Sequence, residues 1–165
     1  MRRLLLCLFL LCASYTAQAH SGKARYHIIV DTDGAADDLR ALCLLLANHD
    51  AEVLAVVTSD GALPPMQTAR RVAALLHEFH HEGIPVGVGR ATADPAPSWR
   101  AQSQQIEWSD TASVQDDFPS AVDLLHETIR GESAPVTIIA LGALTLRYWI
   151  DFDRHKMFEV VSPLS

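Results

Sequence analysis

Two hydrophobic periods alternate along the chain. His27–Asp31 is a short apolar run that predicts a buried strand. Ala36–Asn48 spaces Leu39, Leu42, Cys43 and Leu46 at i, i+3, i+4 and i+7, which predicts a helix. Val53–Thr58 reads as a second strand. Asp60-Gly61 and Pro64-Pro65 mark the loop after it. A helix is expected from Met66 to His81, with Ala69, Val72, Ala73, Leu76 and Phe79 facing inward. Arg70, Ala74, His77, Glu78 and His81 face outward, and Gly83 ends the helix. Ile84–Val88 reads as a third strand. Between Arg90 and Pro119 the periodicity fails, and Pro95, Pro97 and Asp116-Asp117 mark a long loop, a functional lid or a disordered segment. Ser120–Arg130 is helical, with Val122, Leu125 and Ile129 inward. Val136–Leu141 is a fourth strand, Gly142–Thr145 a turn into a helical stretch through Tyr148-Trp149-Ile150, and Glu159-Val160-Val161 the start of a fifth strand.

Strands that alternate with helices form βαβ units. The expected fold class is therefore α/β: a Rossmann-like, mainly parallel sheet flanked by helices, cut short after about five strands. A sheet that stops there leaves an apolar edge, so a homo-oligomer is expected.

The first residues stand apart from this pattern. Met1-Arg2-Arg3 is basic, Leu4–Ala13 is apolar, and Ala17-Gln18-Ala19 is a small-residue cleavage site. Residues 1–19 thus read as a secretory signal peptide, which implies a secreted or periplasmic location. Residues 20–165 then form one modest α/β domain, with no later segment of membrane-spanning length. The net charge of the whole chain is −7. Loss of Arg2 and Arg3 leaves 11 basic residues against 20 acidic ones, a charge of about −9. That balance argues against nucleic acid as a partner and suits cations or small neutral ligands. Cys7 and Cys12 leave with the leader. Cys43, set among leucines, reads as a buried structural thiol.

The candidate chemistry lies at the end of the first strand. Asp31, Asp33, Asp37 and Asp38 place four carboxylates within eight residues, where a buried strand passes into a helix. Such charges repel one another and resist desolvation unless a hard cation neutralises them. Asp31 and Asp33 share one side of an extended segment, and Asp37 and Asp38 open the helix, so the two pairs can converge on one ion. Simple capping and turn formation is the plainer alternative. The run is not an EF-hand, because the sixth position from Asp31 is Ala36 and the twelfth is Leu42.

Ile28-Ile29-Val30-Asp31-Thr32-Asp33-Gly34-Ala35-Ala36-Asp37-Asp38 resembles the amino-terminal D-T-D-P-G-x-D-D motif of the nucleoside hydrolases. Val56–Gly61, Ile84-Pro85-Val86 and Ala121–Arg130 are similar to later segments of that family, and Ala140-Leu141-Gly142-Ala143-Leu144-Thr145 to its A-L-G-P-L-T-N. The resemblance implies an α/β fold, a bound Ca²⁺, and hydrolysis of the N-glycosidic bond of ribonucleosides. By matching position, Asp33 is expected to bind the metal and act as general base. Asp38 and the Thr145 carbonyl are further metal ligands, Asp37 contacts ribose hydroxyls, and Asp31 supports the site. A cation acidifies its water, the carboxylate takes the proton, and attack falls on the anomeric carbon. The expected ligand is a nucleoside or a ribose-like molecule.

Several positions depart from the pattern. Gly34-Ala35 replaces Pro-Gly, which is expected to loosen the turn. Ala62 stands for a ribose-binding Asn, and Leu146 for the Asn after Thr145. Family members run to roughly twice this length. A non-catalytic remnant that binds metal or sugar is therefore an alternative to an active enzyme. A second alternative reads Asp31-Thr32-Asp33-Gly34 as the D-x-D-G of haloacid-dehalogenase-like phosphatases. Asp31 is then the nucleophile, Asp33 the acid/base, and Thr58 or Ser59 a phosphate contact, while Lys156 and Asp151/Asp153 are poorly placed partners. His77-Glu78-Phe79-His80-His81 matches the H-E-x-x-H zinc motif, although it sits on an outer face at a helix end. Trp99, Trp108 and Arg100–Gln105 form either a base-stacking lid or a plain loop anchor.

Overall fold

The β-branched runs become strands: β1 (Tyr26–Thr32), β2 (Ala51–Thr58), β3 (Val86–Val88), β4 (Val136–Ala140) and β5 (Phe158–Val161). The helices are α1 (Ala36–Leu46), α2 (Pro65–Glu78), α3 (Arg100–Gln104) and α4 (Ala121–Gly131). The computed structural model describes residues 24–91, 95–106, 117–142 and the strand 158–161. The proposed leader (1–19), Trp108, Thr145, Leu146, the Tyr148–Ile150 stretch, Asp151, Asp153 and Lys156 lie outside the described residues.

Among the described residues all strand pairs are parallel, and the order is β3-β2-β1-β4-β5. The chain builds outward from β1 through β2 to β3, then returns to the other side of β1 as β4. The direction of winding therefore reverses between β1 and β4. In open α/β sheets ligands bind outside the strand carboxyl ends at such a reversal. β1 is central, with Asp31 opposite Val57 of β2 and Ala140 of β4.

Alternation along β1 feeds two cores. Ile28 and Val30 pack with Leu39 and Leu42 of α1 and with Val72, Leu75 and Leu76 of α2. Ile29 points the other way, to Leu124 and Leu125 of α4 and to Val136 and Ile138. A sheet covered on both faces explains why its strands read as continuous apolar runs.

The structure differs from the periodicity at two places. In α2, Thr68, Arg71 and Ala74 are buried in addition to the expected stripe, whereas Phe79 is 53% exposed. For Arg71 the extra burial comes from the 95–106 segment, which lies against α2, and for Thr68 from the turn between β1 and α1. Arg71 donates to the carbonyls of Ser103 and Gln104, both at 3.2 Å, and Gln104 Nε2 donates to Gln67 Oε1 at 3.1 Å. Phe79 is the C-cap, where the helical stripe has already ended. The second difference is α3, a five-residue helix inside the segment read as loop, too short to show a period. Cys43 is half-buried and packs against the first core. Among the described residues no helix is long and apolar enough to cross a membrane.

Leu39 and Leu44 share α1 but not its environment, since Leu39 is fully buried and Leu44 is 73% exposed. Urea unfolding is expected to show Leu39→Ala destabilised by about 2–5 kcal/mol. Leu44→Ala is expected to stay within about 0.5 kcal/mol of the parent.

Candidate active site

The residues from Thr32 to Asp38 form a closed hydrogen-bonded turn. Asp38, in the first turn of α1, accepts the Thr32 hydroxyl at 2.8 Å and the Asp33 amide at 3.2 Å on one oxygen, Oδ2. Thr32 Oγ1 accepts the Gly34 amide at 3.0 Å, and Asp33 Oδ1 accepts the Ala35 amide at 3.2 Å. Gly34 takes φ +80°, and a Cβ there would come within 2.7 Å of Thr68 Oγ1 and 2.8 Å of Leu63 Cδ1. Only glycine fits this position. The expectation of a loosened turn is corrected here, because these bonds fasten the glycine-first sequence. The Asp33 carbonyl is fixed as well, accepting Leu63 N at 2.9 Å and Thr68 Oγ1 at 3.0 Å.

Two further loops enclose Asp33. A Cβ at Gly61, after β2, would collide with the Asp33 carboxylate. A Cβ at Gly142, after β4, would collide with Ser59 and fall within 2.9 Å of Asp33 N. The ends of β1, β2 and β4 thus meet around one side chain. Leu141 N donates to the Asp31 carbonyl at 2.8 Å and Ser59 N to the Thr32 carbonyl at 2.9 Å, which closes the strand ends together.

The structure brings Asp31, Asp33 and Asp38 together and leaves Asp37 exposed beside them. Asp31 is only 3% exposed, and its Oδ1 has no hydrogen-bond partner. Ser59 faces it, but the Ser59 hydroxyl is also buried without a well-formed bond. Burial pushes the Asp31 carboxyl up to about 7, the Ser59 dipole opposes this, and Asp38 and Asp33 add repulsion. Burial likewise lifts Asp38 to about 6, against the lowering effect of the Thr32 hydroxyl. Burial and mutual repulsion both disfavour the charged carboxyls, the electrostatic condition that a bound cation relieves. Asp33 and Asp38 supply hard oxygen donors that fit such an ion. Among the described residues no set of three or more ligating side chains converges as a preformed cage.

Several site residues escaped the sequence reading. Thr68 sits in a helix and carries no motif, yet it fixes the Asp33 carbonyl. Asp60 is buried and paired with Arg100, their closest atoms 2.5 Å apart. An acid two residues past a buried strand is the available signal for Asp60, whereas Arg100 lies in the patternless loop. Trp99, beside Arg100, is 59% exposed. The zinc motif does not assemble. α2 ends at Glu78, His80 adopts φ +58°, and His77 Nδ1 lies 3.1 Å from Glu82 Oε1 instead of facing His81. A cavity of about 450 Å³, lined by Leu76, His77, Glu82, Ile84, Asp117 and Phe118 among others, opens at the start of β3, and none of Asp31, Asp33, Asp37 and Asp38 lines it. Asp31, the nucleophile of the phosphatase alternative, is buried.

A parallel α/β sheet with carboxylates clustered outside its central strand, where the winding reverses, defines a ligand site at a topological switch point. The sequence matches the inosine-uridine preferring nucleoside hydrolase family over residues 28–146, and the chain belongs to that family. It is 31% identical over 139 residues to the pyrimidine-specific ribonucleoside hydrolase RihA of Salmonella paratyphi A, covering 72% of this chain and 40% of that protein. The RihA of Shewanella sp. is 32% identical over 124 residues, with 72% and 39% covered. A plant nucleoside hydrolase, PpNRh1, superposes with a TM-score of 0.63 at 25% identity, over 73% of this chain and 41% of that one. The purine-preferring ribonucleoside hydrolase from Gardnerella vaginalis shares the fold, with a TM-score of 0.67 at 17% identity, over 82% and 48%. The chain thus spans about 40% of the length of the curated relatives it matches.

The raised carboxyls set a pH dependence. A group whose folded pKa exceeds its unfolded value of 3.8 stabilises the fold below that value and loses the contribution as pH rises through 6 and 7. Thermal melts in chelator are expected to show Asp31→Asn gaining on the parent between pH 4 and pH 7. A difference that stays flat with pH contradicts this reading.

Proposed function

We propose that the carboxylate cluster is the metal- and ribose-binding part of a site that hydrolyses the N-glycosidic bond of ribonucleosides. The observation that carries this is the convergence of Asp31, Asp33 and Asp38 at the sheet's reversal point, with the Asp31 Oδ1 unpartnered. Membership of the nucleoside hydrolase family supports it. Asp33 and Asp38 would hold the ion, joined by the Thr145 carbonyl that the resemblance implies. An all-oxygen donor set with carboxylates favours Ca²⁺. When bound, such a cation acidifies water and orients sugar hydroxyls.

The chain's own residues supply the rest. Asp33, nearest the three converging loops, accepts a proton at its carboxylate. Asp37, exposed at the helix start, is placed to accept hydrogen bonds from ribose hydroxyls. Asp31 stays behind the site and adds negative charge, which favours an oxocarbenium-like sugar. Asp38 keeps the Asp33 backbone in place through its amide. The relatives named for pyrimidine specificity suggest uridine or cytidine as first substrates to try.

A second reading is binding without turnover. It is favoured by Ala62, 2% exposed, whose methyl offers no hydrogen bond where the resemblance expects a ribose-binding asparagine.

Calorimetric titration with Ca²⁺ is expected to show binding that weakens about tenfold or more in Asp38→Ala, a loss of about 1.4 kcal/mol. Equal heats for both proteins contradict the metal assignment. Base release from uridine or inosine is expected to fall about 10²–10⁴-fold in Asp33→Asn. Cation binding with no base release in the parent chain selects the second reading.

A further inference from the structure

The turn after β2 touches both strand-end carboxylates. Ser59 faces Asp31, and Gly61 packs directly on the Asp33 carboxylate. This turn is gripped from outside. Arg100, the first residue of α3, donates Nε and NH2 to the Gly61 carbonyl at 3.0 and 2.8 Å, and NH2 to Asp60 Oδ1 at 2.5 Å. The Arg100 and Asp60 side chains are 13% and 2% exposed. A pair this buried requires good geometry and added hydrogen bonds, and loss of one partner strands the other charge. The planar guanidinium meets a carbonyl and a carboxylate at once, which a lysine ammonium does not reproduce.

The rest of α3 is attached elsewhere, through Arg71 to the Ser103 and Gln104 carbonyls and through Gln104 to Gln67. Those bonds do not touch the turn, so the grip on Asp60 and Gly61 belongs to Arg100 alone among these anchors.

We propose that Arg100 is a positioning residue that clamps the Ser59-Asp60-Gly61 turn against Asp31 and Asp33, and so keeps the two carboxylates set for a cation. The geometry stands by itself, and only the cation consequence rests on the function proposed above. The clamp gives the segment after β3 a structural task at the site. It also places a fixed positive charge behind an acidic cluster without joining it.

The test uses the full chain as the parent, Arg100→Ala, Arg100→Lys and Gln67→Ala, the last breaking a bond of the same segment far from the turn. Amide hydrogen exchange of residues 59–61, measured without metal, is expected to speed up about tenfold or more in Arg100→Ala. Ca²⁺ affinity by calorimetry is expected to fall about tenfold in the same variant. Arg100→Lys should lie between it and the parent, and Gln67→Ala should stay within about twofold of the parent on both readouts. If Arg100→Ala does not fold, Arg100→Lys against Gln67→Ala makes the same comparison. Unchanged exchange overturns the clamp. Faster exchange with intact cation affinity overturns the positioning role. Should the parent itself bind no Ca²⁺, the metal reading fails, and exchange alone decides whether the clamp exists.

Discussion

One oxygen of one buried carboxylate organises the functional end of this molecule. Asp38 Oδ2 receives the Thr32 hydroxyl and the Asp33 amide, and so joins the end of β1 to the start of α1. The turn between them leaves no room for a side chain at Gly34, which sits under Thr68 and Leu63. This arrangement gathers like charges where solvent is scarce. Asp31 and Asp38 both resist ionising there, for the same cause of burial. Such a cost at a strand end is the electrostatic basis of the cation site proposed above. The hydrophobic layers on either face hold the strand ends steady enough for this to matter.

Much of the fold was legible because a covered parallel sheet writes itself in plain terms. Its strands are short unbroken runs of Val, Ile and Leu, and its covering helices show a stripe. β1, β2, β4, α1 and α4 were all recovered within a residue or two at most ends. The failures have separate physical causes. α2 carries buried positions beyond its stripe because Arg71 meets the segment of α3 and Thr68 meets the turn between β1 and α1, and periodicity cannot report a contact with a distant piece of chain. α3 is too short to repeat any pattern.

The site was partly legible for a different reason. Four acids after a buried strand conflict with local electrostatics, so they stand out in the sequence alone. Their roles divide only in three dimensions, where Asp38 and Asp31 are buried, Asp33 is enclosed by three loops and Asp37 is exposed. Thr68 and Arg100 act through side-chain hydrogen bonds across long sequence separations, and Ser59 by facing Asp31. Thr68 reaches Asp33 across 35 positions and Arg100 reaches Asp60 across 40. No local composition marks such partners. Membership of the nucleoside hydrolases accounts for the acidic motif, and the structure adds the Arg100–Asp60 pair beside it.

The central position of β1 has a consequence for biosynthesis. Its partner on one side, β2, leaves the ribosome soon after it, but its partner on the other side, β4, lies more than a hundred residues downstream. Throughout that interval the nascent chain carries one bare β1 edge beside half-covered apolar surface. Slow, long-range closure of this kind invites chaperone capture and makes yield sensitive to translation speed. Substitutions in β4 should therefore be felt first as lost soluble protein, before any effect on chemistry can be measured.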